Sequence, residues 1–229
     1  MLIDTSLVVA LLASSPLAAR PLVTTPHVIA TVIVASDIPS TLVTRLLAEA
    51  GDIWRAAGLT IVWRLESTTS PSSLRVIIGH RTGLVVRDDS VLPLGWIVFD
   101  DQGAPMHDIY VSYANARALM DQARGSVALS DQMPRAERDT MLGRAMGRAL
   151  AHELGHYLLA SKEHSVGGLM RARRTATEFF ATSRSRFDVD AQQRAAIAGR
   201  LAPPAAVAFA VSNSQQSTVN SRQSAIDSR

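Results

Sequence analysis

A chain of 229 residues, 47% of them hydrophobic, can bury the core of one domain with short additions and is too short for two full ones. The absence of cysteine excludes disulfides, thiolate metal ligands and a thiol nucleophile. The sequence pI is near 9.9, but the formal net charge is only +3 and the basic residues are scattered, which argues against a nucleic-acid partner. Past the N-terminus no apolar run reaches the length of about eighteen residues that a membrane span needs.

Leu7 to Ala19 is apolar and ends in Leu17-Ala18-Ala19, like the hydrophobic region and cleavage zone of a secretory signal. Asp4 is the only charge ahead of it, where a signal carries Lys or Arg. Residues 1–26 are therefore read as a leader or signal-like segment, and a secreted or periplasmic destination is expected. The domain begins at His27. Val28 to Ala35 is dense in Val and Ile and reads as a strand. Asp37 or Ser40 can cap a helix whose apolar positions are Leu42, Val43, Leu46, Leu47, Ile53 and Trp54, with Gly58 as a left-handed stop. Leu59 to Leu65 and Leu74 to Ile78 read as strands on either side of a Ser/Thr/Pro linker. Strand, helix, strand in that order implies a right-handed crossover and two parallel strands. Two more strands, Gly95 to Phe99 and Asp108 to Tyr113, bracket a turn rich in Asp, Gly and Pro. The expected class is α+β, a mixed sheet with a backing helix.

From Glu137 to Ala160 there is no proline, and Leu142, Met146, Leu150, Leu154, Tyr157 and Leu158 recur at helical steps on one face. Gly143 and Gly147 lie on that face, where a missing side chain lets a neighbouring helix come close. The same helix carries His152-Glu153-Leu154-Gly155-His156. Residues four apart lie about 40° apart around a helix, so His152 and His156 can offer both imidazoles to one metal ion. Glu153 lies beside the pair, where a general base can reach a water held by the metal. Chance would place H-E-x-x-H somewhere in this chain with a probability of roughly 0.4%, so the spacing points to a metal hydrolase.

A zinc site needs a third protein ligand and an open position. His164 follows His156 by eight residues, enough for the helix to finish near Ser161 and the chain to turn back. The run His152 to His156, then His164, then Gly167-Gly168-Leu169-Met170, resembles the metzincin signature H-E-x-x-H-x-x-G-x-x-H with its methionine turn. It departs in two places: Leu159 stands where that family has its helix-breaking glycine, and the third histidine comes two residues late, with Lys162 at the expected position. The chain is thus similar to a divergent metzincin-like group with a longer ligand spacer. A rival arrangement, similar to the gluzincins, takes Glu178 as third ligand instead.

The resemblance implies a Zn²⁺-dependent metalloendopeptidase acting on peptide or protein substrates, with His152, His156 and His164 as ligands, Glu153 as catalytic base and Met170 in the methionine turn. It also implies a zincin-like catalytic domain over residues 27–202, divided into an upper part, 27–161, and a lower part, 162–202. An edge strand ahead of the active-site helix, by position Gly95, Trp96 and Ile97 onward, would bind an extended peptide by strand addition. A zinc-stabilised peptide-binding module without catalysis is the other reading of the same residues.

His27, His80 and His107 stand alone at strand edges or loops and are read as structural. No G-x-S-x-G elbow suggests serine hydrolysis. Arg171, Arg173 and Arg174 form the one tight basic cluster, read as a solvated turn or, alternatively, a contact for acidic substrate groups. Phe179, Phe180 and Phe187 are apolar anchors ahead of a last helix capped by Asp188 or Asp190 and carrying Ala191, Arg194, Ile197 and Leu201. Pro203-Pro204 closes the domain, and residues 203–229 read as a tail in which a short Ala/Val stretch gives way, over 212–229, to Ser, Asn, Gln and Arg with almost no apolar anchors.

Overall fold

The computed structural model describes residues 26–65, 74–82, 93–123 and 132–202. The signal-like leader, the Ser/Thr/Pro linker, Pro203-Pro204 and the polar tail lie outside the described residues. Within them the order is β1 (His27–Val34), α1 (Ser40–Ala56), β2 (Thr60–Leu65), β3 (Leu74–Gly79), β4 (Gly95–Phe99), β5 (Pro105–Ser112), α2 (Tyr113–Gln122), α3 (Arg135–Leu159), α4 (Ala176–Phe180) and α5 (Ala191–Leu201). The five strands form one mixed sheet in the order β2-β1-β3-β5-β4. All neighbours are parallel except β4, which runs antiparallel to β5 at one edge. The α+β class and the β1-α1-β2 crossover are as expected from the order of elements.

Alternation decides which side of the sheet is covered. Ala30, Val32, Val76, Ile78, Ile109 and Val111 are buried against helices, whereas Ile29 and Val62, of the opposite parity, are exposed. The two long helices α1 and α3 pack against each other, and α3 also crosses β4 and β5. Two glycines permit the helix contact. A Cβ at Gly143 would lie 2.7 Å from Arg45 Cβ, and one at Gly147 would lie 2.6 Å from the Leu46 carbonyl oxygen. Glycine in a helix costs about 1 kcal/mol in propensity, which is offset here by the close approach it allows.

Three local expectations are corrected. Neither Asp37 nor Ser40 caps α1: Pro39 takes the N-cap position with no side-chain cap, Ser40 is already helical, and the Asp37 carboxylate pairs instead with His80 at 2.8 Å. The strand expected to run to Tyr113 stops at Ser112, whose hydroxyl accepts the Asn115 N–H and starts α2, a helix that no sequence pattern had suggested. The Arg171 to Arg174 stretch is not a simple solvated turn, because Arg171 and Arg174 are half-buried and bonded to the fold. Asp190, in contrast, caps α5 as expected, in a capping box with Gln193.

Charged groups also sit in the core, the most deeply buried being Arg148. Arg148 is fully buried on α3 and donates to Glu49 Oε1 of α1 at 2.9 Å. It also donates to the carbonyls of Glu178 (2.7 Å), Phe179 (3.2 Å) and Ser183 (2.9 Å), and its guanidinium lies 4.6 Å over the Phe187 ring. Arg184 donates to the other oxygen of Glu49 at 2.9 Å and to Asp52 at 2.8 Å. Burial pushes the Arg148 pKa down, and the Glu49 carboxylate opposes that. The network ties α1, α3 and the segment around α4 together with directional bonds where apolar packing alone would leave their relative position loose.

Candidate metal centre

The site is built on the last two turns of α3. His152 and His156 stand on one face, and their Nε2 atoms approach to 3.1 Å. The helix ends at Leu159, and Ala160 takes a left-handed conformation (φ +46°) one residue beyond the place where the metzincin pattern has glycine. A non-glycine residue there costs roughly 1–2 kcal/mol. The turn sends the chain back past the helix end, and residues 161–163 carry it to His164. The three imidazoles then converge, with ring centroids 4.7, 5.3 and 4.9 Å apart, and one donor atom from each lies within 4.8 Å of the others. No other such group of metal-ligating side chains occurs among the described residues.

Backbone carbonyls set the ring orientations. His152 Nδ1 lies 2.9 Å from the Leu169 carbonyl, and His156 Nδ1 lies 2.7 Å from the Ser161 carbonyl. A carbonyl can only accept, so each Nδ1 carries the proton and each Nε2 presents a lone pair. Burial lowers both pKa values, to about 4 for His152, against the carbonyl bonds that act the other way. Two neutral nitrogens with lone pairs facing across 3.1 Å repel each other unless a cation lies between them. The donor set therefore fits a metal ion.

Glu153 projects from the next helical position and is buried in the lining of the cleft. Burial pushes its carboxyl pKa up to about 8, and a backbone bond from Ile97 on β4 opposes the shift. Gly95 makes room for it, since a Cβ there would lie 3.1 Å from Glu153 Cγ. Gly95 and Ile97, expected to meet substrate, thus also pack and orient Glu153. Trp96 stacks on Tyr110 with ring centroids 5.2 Å apart. Gly95, Trp96, Ile97 and Phe99 form one wall of a cleft of about 570 Å³ whose floor includes His152, Glu153, His156 and His164. β4 is the last strand of the sheet, as the edge-strand reading required.

Met170 is 2% exposed and lies under the centre, against Gly155, where a Cβ would collide with its sulfur. The loop that carries it closes on itself through the Ser165 N–H to the Met170 carbonyl (2.9 Å) and is pinned by the Leu169 N–H to the Asp188 carbonyl (2.6 Å). Arg174 donates to the Gly168 carbonyl and, at 3.4 Å, to the Leu169 carbonyl that also holds His152. Its guanidinium stacks 4.0 Å over the Phe187 ring, opposite a second contact from Arg148. No spacing rule in the sequence signals these supports.

Glu178, the rival ligand, is elsewhere. It forms the capping box of α4 with Thr175, and its Oε1 accepts from Arg171 at 2.8 Å and Arg186 at 3.3 Å. The Thr175 backbone N–H, with these cations, holds its carboxyl below the ordinary range. His27, His80 and His107 are also outside the cluster; His80 pairs with Asp37 and His107 lies 3.3 Å from the Tyr157 hydroxyl. His164→Ala is expected to weaken metal binding by more than the 10- to 100-fold that losing an outer partner typically costs. Glu178→Ala should keep one ion per chain, its cost being confined to the α4 capping box and the bonds to Arg171 and Arg186. Metal titration of the two variants checks both.

Among the described residues no helix is long and apolar enough to cross a membrane. No protein-family model matches the chain, and no curated protein matches it in sequence.

Proposed function

We propose that the protein is a zinc-dependent peptidase in which His152, His156 and His164 hold the ion and Glu153 is the general base. The observation that carries this reading is the convergence of three imidazoles, two with their Nε2 lone pairs directed at each other, beside a buried carboxyl. An all-imidazole set of three suits zinc and leaves a coordination position open for chemistry. When bound, the ion would supply Lewis acidity that polarises a carbonyl and activates water near neutral pH.

The remaining work falls to the chain. Glu153, which a cation at the three imidazoles would keep ionised against the effect of burial, takes the proton of the attacking water on its carboxylate and passes it to the leaving amine, held in place by the Ile97 bond and the space over Gly95. The edge of β4 offers backbone groups to an extended peptide, and Trp96 and Phe99 offer apolar surface beside it. His152 and His156 keep their orientation through the Leu169 and Ser161 carbonyls, so loss of either contact would loosen a ligand.

The test is turnover of casein and of a quenched peptide library by the purified full chain, with and without chelator. Hydrolysis that chelator abolishes and added zinc restores is the expected result. One bound ion with no turnover of any peptide would place the site among non-catalytic zinc modules.

A further inference from the structure

Charge is distributed unevenly between the molecule as a whole and its cleft. The chain carries 23 Lys and Arg against 20 Asp and Glu, close to parity. Among the described residues, those lining the cleft include five cations, Arg148, Lys162, Arg171, Arg173 and Arg174, and a single carboxylate, Glu153. Two of the five are neutralised by partners outside the cleft lining, Arg148 by Glu49 and Arg171 by Glu178. Lys162, Arg173 and Arg174 make no direct ion pair among the described residues, and only Arg174 feels a carboxylate from further off, that of Glu178.

These three lie on different sides of the histidines. Lys162, the only lysine in the chain, is exposed at the cleft mouth with its ammonium 5.1 Å over the Phe99 ring, and Phe99 in turn meets the His156 ring edge-on at 6.3 Å. Arg174 is on the His152 side, bonded to the Leu169 carbonyl that fixes that ring. Arg173 precedes it in sequence and is exposed. Arg174 is committed to carbonyls and to Phe187, and its Nη1 is closed off from solvent without a hydrogen-bond partner. It adds fixed positive charge, while Lys162 and Arg173 are the groups free to reach a ligand. A low-dielectric cleft with cations on both flanks concentrates anionic ligands and repels basic ones.

We propose that the cleft selects peptides with Asp or Glu side chains on one or both sides of the bond at the centre, with Lys162 and Arg173 as the specificity-determining contacts. This rests on the peptidase reading for its peptide but not for its charge. Pairing of a carboxylate with Lys162 or Arg173 breaks no ion pair of the fold, so the preference carries no cost in stability. The wall formed by the edge strand β4 favours a peptide over a nucleic acid, because its backbone groups can pair with an extended main chain.

The experiment measures binding to the zinc-loaded Glu153→Gln chain, by anisotropy at low and moderate salt, of a capped fluorescent peptide rich in glutamate and of its glutamine counterpart. The glutamate peptide is expected to bind about 3- to 10-fold more tightly, with a difference that shrinks as salt rises. In Lys162→Gln/Arg173→Gln, which breaks no hydrogen bond or ion pair of the fold and gives up only the Lys162 contact over Phe99, the two peptides should bind alike and the glutamine peptide as before. Equal binding to the single Glu153→Gln chain, or a preference that survives the added double substitution, overturns the inference. So does tighter binding of a single-stranded oligonucleotide through the same two residues, which would assign the cations to phosphates. Turnover by the wild-type chain separates the two readings: equal cleavage of both peptides removes the selectivity and leaves the peptidase, whereas a glutamate preference in binding with no cleavage removes the peptidase and leaves the selectivity.

Discussion

Glu153→Gln is expected to retain one metal ion per chain and to lower peptide hydrolysis by about 10²- to 10⁴-fold, the range a general base contributes. Glutamine has the same shape, so it fits the space over Gly95, and its amide oxygen can still accept the Ile97 N–H. What it cannot do is take a proton. None of the three imidazoles contacts this carboxylate as a required partner: the Nδ1 atoms of His152 and His156 bond to Leu169 and Ser161, so metal content should not change. Metal analysis and turnover on the same preparation give both numbers. Activity within a few-fold of wild type would remove Glu153 from the chemistry, whatever the metal does.

Arg148→Ala is expected to destabilise the fold by about 3–5 kcal/mol, because it leaves Glu49 buried with half of its pairing gone. Arg184 would still reach Glu49 Oε2, but the carbonyls of Glu178, Phe179 and Ser183 would lose their donor together. Those carbonyls belong to the segment that follows the metal loop, so the loss is felt on the side of the molecule where Phe187 and Arg174 support the Leu169 carbonyl. Denaturant unfolding of the metal-free chain measures the effect without any contribution from ion binding. The double variant Arg148→Met/Glu49→Leu should recover part of the loss, since removing both charges avoids the unpaired carboxylate. A cost below about 1 kcal/mol for the single variant would mean that water or movement satisfies Glu49 and that the network is not what holds the α4 segment.

The contrast between these two residues shows how far the site could be read before its coordinates. Glu153 was legible as a candidate because helical spacing, a local property, puts it beside the two histidines. Arg148 was not, although it stands one turn before His152 on the same helix. Its partners come from residue 49 and from residues 178 to 187, and nothing local distinguishes it from Arg144, which lies a turn earlier and bonds only the Phe180 carbonyl in the contacts seen here. The basic run from Arg171 to Arg174 was misread for the same reason. Three arginines in four residues look solvated until Glu178, Phe187 and two carbonyls are placed beside them. Helix α2 escaped notice because its start depends on Ser112 as a cap, and its Asn115 side chain bonds the Thr82 and Pro93 carbonyls, neither of which is near in sequence.

By itself the order of residues determined the α+β class, the parallel β1-α1-β2 unit, the long helix with its two glycines at the α1 contact, and the pairing of His152 with His156. Each follows from periods of two or 3.6 residues and from a side chain's size, which act within a few residues of the chain. Only the tertiary structure brought His164 rather than Glu178 beside the pair, because that depends on where a turn at Ala160 sends the chain, and an alanine carries no signal for a left-handed conformation. It also decided that the edge strand would lie over Glu153 and that Lys162, Arg173 and Arg174 would line one cleft. Those outcomes come from contacts between segments far apart in sequence, and they exist only once the core has closed.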